Sequence, residues 1–314
     1  MTKTYFFSSG QNIFSLLSFD RGEAVHYIQA KSILSPQNGM NLYRGCTHGC
    51  IYCDSRSSCY HIDHLFEDVA VKENALELLE EALKRKRKKC MIGTGSMSDP
   101  YMPLEEKLLF TRKALELVHR HGFGFTVITK SALVLRDLDL LKKINGSTKA
   151  VVQMTLTTFD EGLCRKLEPN VSTTRERFEA LKIFREEGIP TVVWLCPLLP
   201  FINDTEENLA GILDYCAQAG VKGIVCFGMG LTLRDGNREY FYRQLDRLFP
   251  GMKERYIRTY GNRYELPSPQ EKELTEQFTA FCREHSILYT PEEVFGYLNS
   301  FPEKKAQPEL FDYN

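Results

Sequence analysis

The chain has 314 residues, 43% hydrophobic and 26% charged, and its 40 Lys and Arg against 41 Asp and Glu leave a formal net charge of -1. That balance belongs to an ordinary soluble globular protein and excludes a polycation whose partner could be named from charge alone. Ten cysteines occur in a long chain whose opening Met1-Thr2-Lys3-Thr4-Tyr5-Phe6-Phe7 lacks the apolar core of a secretory signal, so thiolate ligation in a reducing cytoplasm is expected rather than a disulfide framework.

In chain order, residues 1–39 read as an N-terminal segment, and from Met40 onward apolar β-rich runs alternate with amphipathic stretches. That alternation is the pattern of βα units winding a parallel sheet. Strands are predicted at 40–44, 90–95, 124–129, 150–157, 189–196 and 221–227, with helices between them and after the last. Leu76, Leu79 and Leu83, then Leu108, Leu115 and Val118, and later Phe178, Leu181 and Phe184 recur at helical offsets and are expected to face the core. Asp204-Thr205-Glu206-Glu207-Asn208 opens a helix with an acidic first turn. The longest apolar run, Val192 to Leu199, is too short to cross a bilayer and contains Pro197, so no membrane span is expected. Six units make a partial (β/α)6 barrel of the TIM type over 40–235, with its active site at the carboxyl ends of the strands. Residues 236–300 read as an aromatic and basic extension covering the barrel, and 301–314 as a polar tail.

The most telling stretch follows the first strand: Arg44-Gly45-Cys46-Thr47-His48-Gly49-Cys50-Ile51-Tyr52-Cys53. Cys46, Cys50 and Cys53 can ligate three corners of a [4Fe–4S] cluster, which leaves one iron open to a small molecule and so implies catalysis. A rival set of Cys50, Cys53, Cys59 and His61 would hold zinc in a non-enzymatic binding module, at the cost of leaving Cys46 idle. Ser98 and Asp99, Lys130, and Thr155 and Thr157 follow or close later strands and converge on the same face.

The three-cysteine loop, with Tyr52 before its last cysteine, resembles the motif of the radical S-adenosylmethionine (SAM) superfamily. The segments 41–46 (Asn-Leu-Tyr-Arg-Gly-Cys), 98–105, 128–131, 155–158 and Leu167-Glu168-Pro169 look like its spore photoproduct lyase-like, or DNA repair photolyase-like, branch. The resemblance implies a [4Fe–4S] cluster on Cys46, Cys50 and Cys53, SAM on the open iron, and flavodoxin or ferredoxin as electron donor. It implies a 5′-deoxyadenosyl radical that abstracts hydrogen from damaged or modified nucleic acid, DNA first; RNA, protein or a small metabolite is the alternative substrate. Lys130 would then pair with the methionyl carboxylate, Asp99 would accept from ribose hydroxyls, and Thr155 would bond the ribose or methionyl end, with Tyr52, Ser98 and Thr157 beside them. One position departs from the lyases: Ser96 stands where they carry a hydrogen-donating cysteine, and a hydroxyl O–H bond is too strong for that task. Cys59, Cys90 or Tyr101 is the substitute donor, and the chain reads as a relative rather than the lyase itself.

Elsewhere, Cys164, Cys196, Cys216, Cys226 and Cys282 read as small buried hydrophobes. The run Lys84-Arg85-Lys86-Arg87-Lys88-Lys89 ends a helix on the face opposite the cluster, so it reads as a solvated helix end. In the extension, guanidinium groups interleave with phenol rings, and Arg258, Tyr260, Arg263 and Tyr264 are the candidates for holding a polynucleotide. Gln307-Pro308-Glu309-Leu310-Phe311 resembles the peptide by which bacterial repair proteins dock on the DNA polymerase sliding clamp, with Gln307, Leu310 and Phe311 as its anchors.

Overall fold

The computed structural model describes residues 25–302. The clamp-like peptide with Gln307, Leu310 and Phe311 lies outside the described residues. Six parallel strands form the main sheet in chain order: Gly39–Met40, Met91–Thr94, Gly124–Thr129, Ala150–Thr155, Thr191–Trp194 and Gly223–Val225. The sheet is open, because its first and last strands are not paired with each other. Val127 lies opposite Val152, and Val152 opposite Thr191, so the βα units are stacked in step. Helices Ala75–Arg85, Phe110–Arg120, Leu138–Ser147, Thr174–Glu186 and Glu206–Ala219 occupy the crossovers. Leu79, Leu83, Leu115, Val118, Phe178, Leu181 and Phe184 are all buried, as the helical offsets require. Thr173 with Glu176 forms a capping box on one of these helices, and the Thr205 hydroxyl accepts from the Asn208 amide on the next.

Two expectations need correction. The strand predicted over 40–44 is split between two sheets: Met40 pairs with Thr94, whereas Tyr43–Arg44 runs antiparallel to Val69–Lys72, which also pairs with Val25–Ile28. Leu42 and Tyr43 are consecutive and both buried, which breaks the alternation of a strand with one covered face, and the chain changes sheet between Met40 and Tyr43. The stripe through Leu108 is likewise broken, because Leu109 turns left-handed at φ 56 between Glu105–Leu108 and Phe110–Arg120. The buried Glu105 carboxylate accepts from the amides of Phe110 (3.1 Å) and Thr111 (2.9 Å), and so caps the second helix from inside.

Beyond the sheet, Gly230–Thr232 pairs antiparallel with Glu265–Pro267, and helices Asn237–Leu248 and Met252–Tyr260 lie between those strands in the chain. Helix Pro291–Asn299 seals the other end. Its Val294 and Leu298 pack in one buried cluster with Met91, Val151, Val192 and Val225 of the sheet. Lys84 and Arg85 of the basic run pair with Glu80 and Glu81 one helical turn back, and Lys89 sits over the Phe123 ring at 4.2 Å. No helix among the described residues is long and apolar enough to cross a membrane.

Candidate active site

The cysteine loop is held from two sides by hydrogen bonds. Gly45 enters it at φ +86, where a Cβ would come within 2.5 Å of the Phe66 carbonyl, so only glycine fits. Cys46 N–H donates to that same carbonyl at 2.8 Å. On the far side Ile51 N–H donates to Leu167 O (3.0 Å), Asn170 N–H to His48 O (3.2 Å) and the Asn170 amide to Thr47 O (2.8 Å). The Leu-Glu-Pro segment thus clasps the loop.

A buried ionic chain continues from that clasp. The Tyr52 phenol donates to Glu168, whose other oxygen meets Arg177 at 2.5 Å with both side chains fully buried. Arg177 also donates to the Thr155 carbonyl (2.6 Å) and to the Cys164 sulfur (3.1 Å). Burial alone would raise the pKa of Glu168, but the Arg177 and Lys130 cations outweigh it and hold the carboxyl below its ordinary value. Burial works against charge on Lys130 as well; Cys50, Glu168, Cys53 and Asp99 outweigh it and push its pKa up. Its ammonium lies 5.9 Å from the Tyr52 ring centre.

Asp99 is fully engaged. One oxygen accepts from Tyr101 N–H (2.9 Å) and the Thr129 hydroxyl (2.7 Å); the other accepts from Lys130 N–H (2.7 Å) and faces His48 Nδ1 at 3.3 Å. Burial disfavours its charge, yet His48 and these donors win and bring its pKa down to about 2. Asp99 therefore fastens three strand-end loops together, and the expectation that it accepts from ribose hydroxyls is corrected, since its lone pairs are taken.

A cavity of about 770 Å³ opens at the carboxyl ends of the strands, and Cys46, Cys50 and Cys53 all line it. Tyr52, Ser98, Asp99, Lys130 and Thr155 line it too. The Ser98 hydroxyl is spent on the Tyr43 carbonyl at 3.0 Å. Other sequence candidates are not brought there. Thr157 is buried outside the lining beside Thr158, with 3.3 Å between their hydroxyls. Tyr101 is also buried outside it, with its phenol donated to Asp137 at 3.1 Å. Cys59 is exposed, 3.5 Å from an Arg234 nitrogen, and Cys90 precedes the amino end of its strand, so neither sits where a hydrogen donor must. In the extension, Tyr264 lines the cavity, whereas the Tyr260 phenol is turned inward onto the Pro267 carbonyl at 2.5 Å. Arg258 and Arg263 are exposed outside the lining.

The zinc set is not assembled: Cys50 and Cys53 face the cavity, but Cys59 and His61 do not. Among the described residues, no three His, Cys, Asp or Glu side chains converge for a single ion. An iron–sulfur cluster suits the loop better. Burial pushes Cys46 up to about 12 and raises Cys50 as well. A metal can replace the proton of such thiols, and Cys46, Cys50 and Cys53 face one cavity.

Several residues at the site escaped sequence reasoning. Arg177 had a readable signal, a charge at the helical offsets of Leu181 and Phe184, which are core. Cys196, expected to be a passive hydrophobe, lines the cavity, and burial pushes its pKa up to about 12. It closes the predicted fifth strand, so its place at a carboxyl end was legible.

A parallel α/β sheet carrying a three-thiol loop and a large cavity at its carboxyl ends defines a cofactor-dependent enzyme. Residues 40–216 match the model of the Radical SAM superfamily, more than half of the chain, and the chain belongs to that superfamily. Its enzymes use a [4Fe–4S] cluster and SAM, and Cys46, Cys50 and Cys53 lie within the matched residues. An uncharacterized protein of Mycobacterium tuberculosis strain H37Rv is 29% identical over 254 residues, covering 79% of this chain and 74% of the relative. A cysteine-to-serine mutant of spore photoproduct lyase shares the fold at TM-score 0.62 and 16% identity, covering 84% of this chain and 81% of that one. A further mutant of that lyase, with bound SAM and a dinucleoside spore photoproduct, superposes at TM-score 0.57 and 14% identity over 79% and 74%.

Proposed function

We propose that this radical SAM enzyme takes a hydrogen atom from a damaged or modified residue of nucleic acid, with DNA as the first substrate. The observation that carries the reading is the cavity's rim. Phe227 is 62% exposed and stands edge-on to Trp194 at 5.9 Å; across from them Tyr264 accepts a 2.8 Å bond from Arg234, whose guanidinium lies 5.1 Å from its ring centre. All four line the cavity. Aromatic faces stack on bases and guanidinium groups bind phosphates, so the rim suits an unstacked nucleotide.

Within the cavity, Cys46, Cys50 and Cys53 would hold the cluster and Lys130 the methionyl carboxylate. Together the cluster and SAM supply a 5′-deoxyadenosyl radical. Asp99 and the Glu168–Arg177 pair keep the strand-end loops fixed around that space, and the walls exclude water. Cys196 is the cavity thiol placed to return a hydrogen atom: its S–H bond breaks, a substrate C–H bond forms, and an electron and a proton from a flavodoxin or ferredoxin system restore the thiol.

Anaerobic turnover with deuterated damaged oligonucleotides tests this reading. Deuterium is expected in 5′-deoxyadenosine, and Cys196→Ala is expected to keep that transfer while losing the finished product. Absence of transfer from every DNA lesion would overturn the DNA reading. The cytoplasm is the proposed compartment, because the cluster thiols must stay reduced to bind metal. A sliding clamp is proposed as partner for Gln307, Leu310 and Phe311 on sequence grounds; co-elution with purified clamp should vanish when 307–314 is deleted, and an intact chain that never co-elutes would end the idea.

A further inference from the structure

A second cavity, of about 450 Å³, lies on the other side of the backbone that leads into the cysteine loop. Met97 lines both cavities and forms the wall between them. The chemistry of the two differs. The active-site cavity has Asp54, Asp99, Glu265 and Glu271 in its lining, whereas the second has Lys31, Arg44 and Lys72 and no carboxylate.

None of the three cations is ion-paired among the described residues. Lys72 donates to the Asn41 carbonyl at 2.7 Å, and Arg44 to the carbonyls of Tyr60 (3.2 Å) and His61 (2.8 Å), both through one terminal nitrogen. Lys31 is exposed and makes no hydrogen bond with the described residues. Burial and then Arg44 push the Lys72 pKa down, a cost that a bound anion would remove. Asn41, also in the lining, has a buried amide oxygen with no partner, and its amide can present either end to a ligand. Acids bonded to lining residues lie outside the lining and are engaged there: Glu73 accepts from Gln29 at 2.8 Å, Asp54 from Tyr60 at 2.6 Å, and Glu105 from Tyr43.

We infer that this second cavity is a phosphate subsite, holding the phosphodiester that flanks the residue whose C–H bond is attacked. The inference rests on the nucleic-acid reading for the source of the phosphate, while the anion chemistry stands on the lining itself. Three cations and a neutral amide around a pocket without acids match an oxyanion, and the shared Met97 wall places it one step from the reacting centre. A strand whose reactive residue enters the larger cavity would lay its neighbouring phosphate over Met97.

The test uses the full chain, anaerobically reconstituted, with a fluorescein-labelled single-stranded oligodeoxynucleotide titrated at several KCl concentrations. Lys72→Gln and Lys31→Gln are each expected to weaken binding roughly tenfold and to flatten the salt slope by about 0.7 for the lost phosphate contact. Lys72→Arg should restore both, and Lys84→Gln on the opposite face should change neither; iron content and melting temperature show that each variant is folded. A second arm measures inorganic phosphate by calorimetry. If the oligonucleotide binds wild type and both Gln variants with the same affinity and slope, the subsite is wrong and the nucleic-acid reading stands. If phosphate binds in a Lys72-dependent way but no oligonucleotide does, the subsite stands and the nucleic-acid reading fails.

Discussion

The two ends of the same six strands are built on opposite principles. At the amino end, Val294 and Leu298 of the last helix pack in an apolar cluster with Met91, Val151, Val192 and Val225, and Lys149 fastens the end of that helix through the Ser300 carbonyl (3.1 Å) and hydroxyl (2.9 Å). At the carboxyl end the strands open onto a cavity of about 770 Å³ whose frame is ionic: Glu168 with Arg177, and Asp99 with His48 and three further donors. Buried charge is costly, and a paired network of this kind fixes a unique geometry and is strongly destabilising to break. The contrast is that the amino end serves stability alone, whereas the carboxyl end also positions the loops around the cavity.

That contrast can be broken by substitution. Glu168→Gln leaves Arg177 buried without its carboxylate, so a loss of about 3–5 kcal/mol is expected, together with a loosened cysteine loop. Denaturant unfolding combined with iron content checks both, and an unchanged iron content would detach the pair from the site. Leu298→Ala at the other end should cost about 2–5 kcal/mol through cavity formation while leaving iron content and SAM binding as they are. If cofactor binding falls with it, the two ends are not separable.

Asp99 sharpens the comparison through pH. Its folded pKa of about 2 lies below the ordinary carboxylate value, so the stabilisation from its ionised form is fully present above about pH 4 and is lost as pH falls toward 2. Asp99→Asn should therefore be less stable than wild type at neutral pH, with the gap closing between pH 4 and 2. A gap independent of pH would mean that the carboxylate charge has no part in fastening the loops.

Much of this was legible in the sequence because parallel strands buried on both faces read as near-continuous apolar runs, such as Val192 to Leu195. The ends were less so. Tyr43 and Arg44 leave the main sheet to pair with Val71 and Ala70, which are distant in the chain, and the break at Leu109 depends on a carboxylate four residues earlier. The cysteine loop announced itself by local spacing. Asp99, Tyr101 and Arg177 could not be assigned the same way, because their partners come from positions 48, 129, 137 and 168, which only the folded sheet brings together. Helix Pro291–Asn299 gave no sign of where it would dock, since its stripe matches any apolar surface.

In the proposed function, Cys46, Cys50 and Cys53 make the carboxyl-end cavity a radical-generating site. The most direct measurement is 5′-deoxyadenosine formed from SAM by the anaerobically reconstituted, dithionite-reduced chain, with iron content followed in parallel. Wild type should take up about four irons and release 5′-deoxyadenosine, and Cys46→Ala should release none. Cleavage that persists in Cys46→Ala, or a wild-type chain that takes up no cluster, would contradict the account.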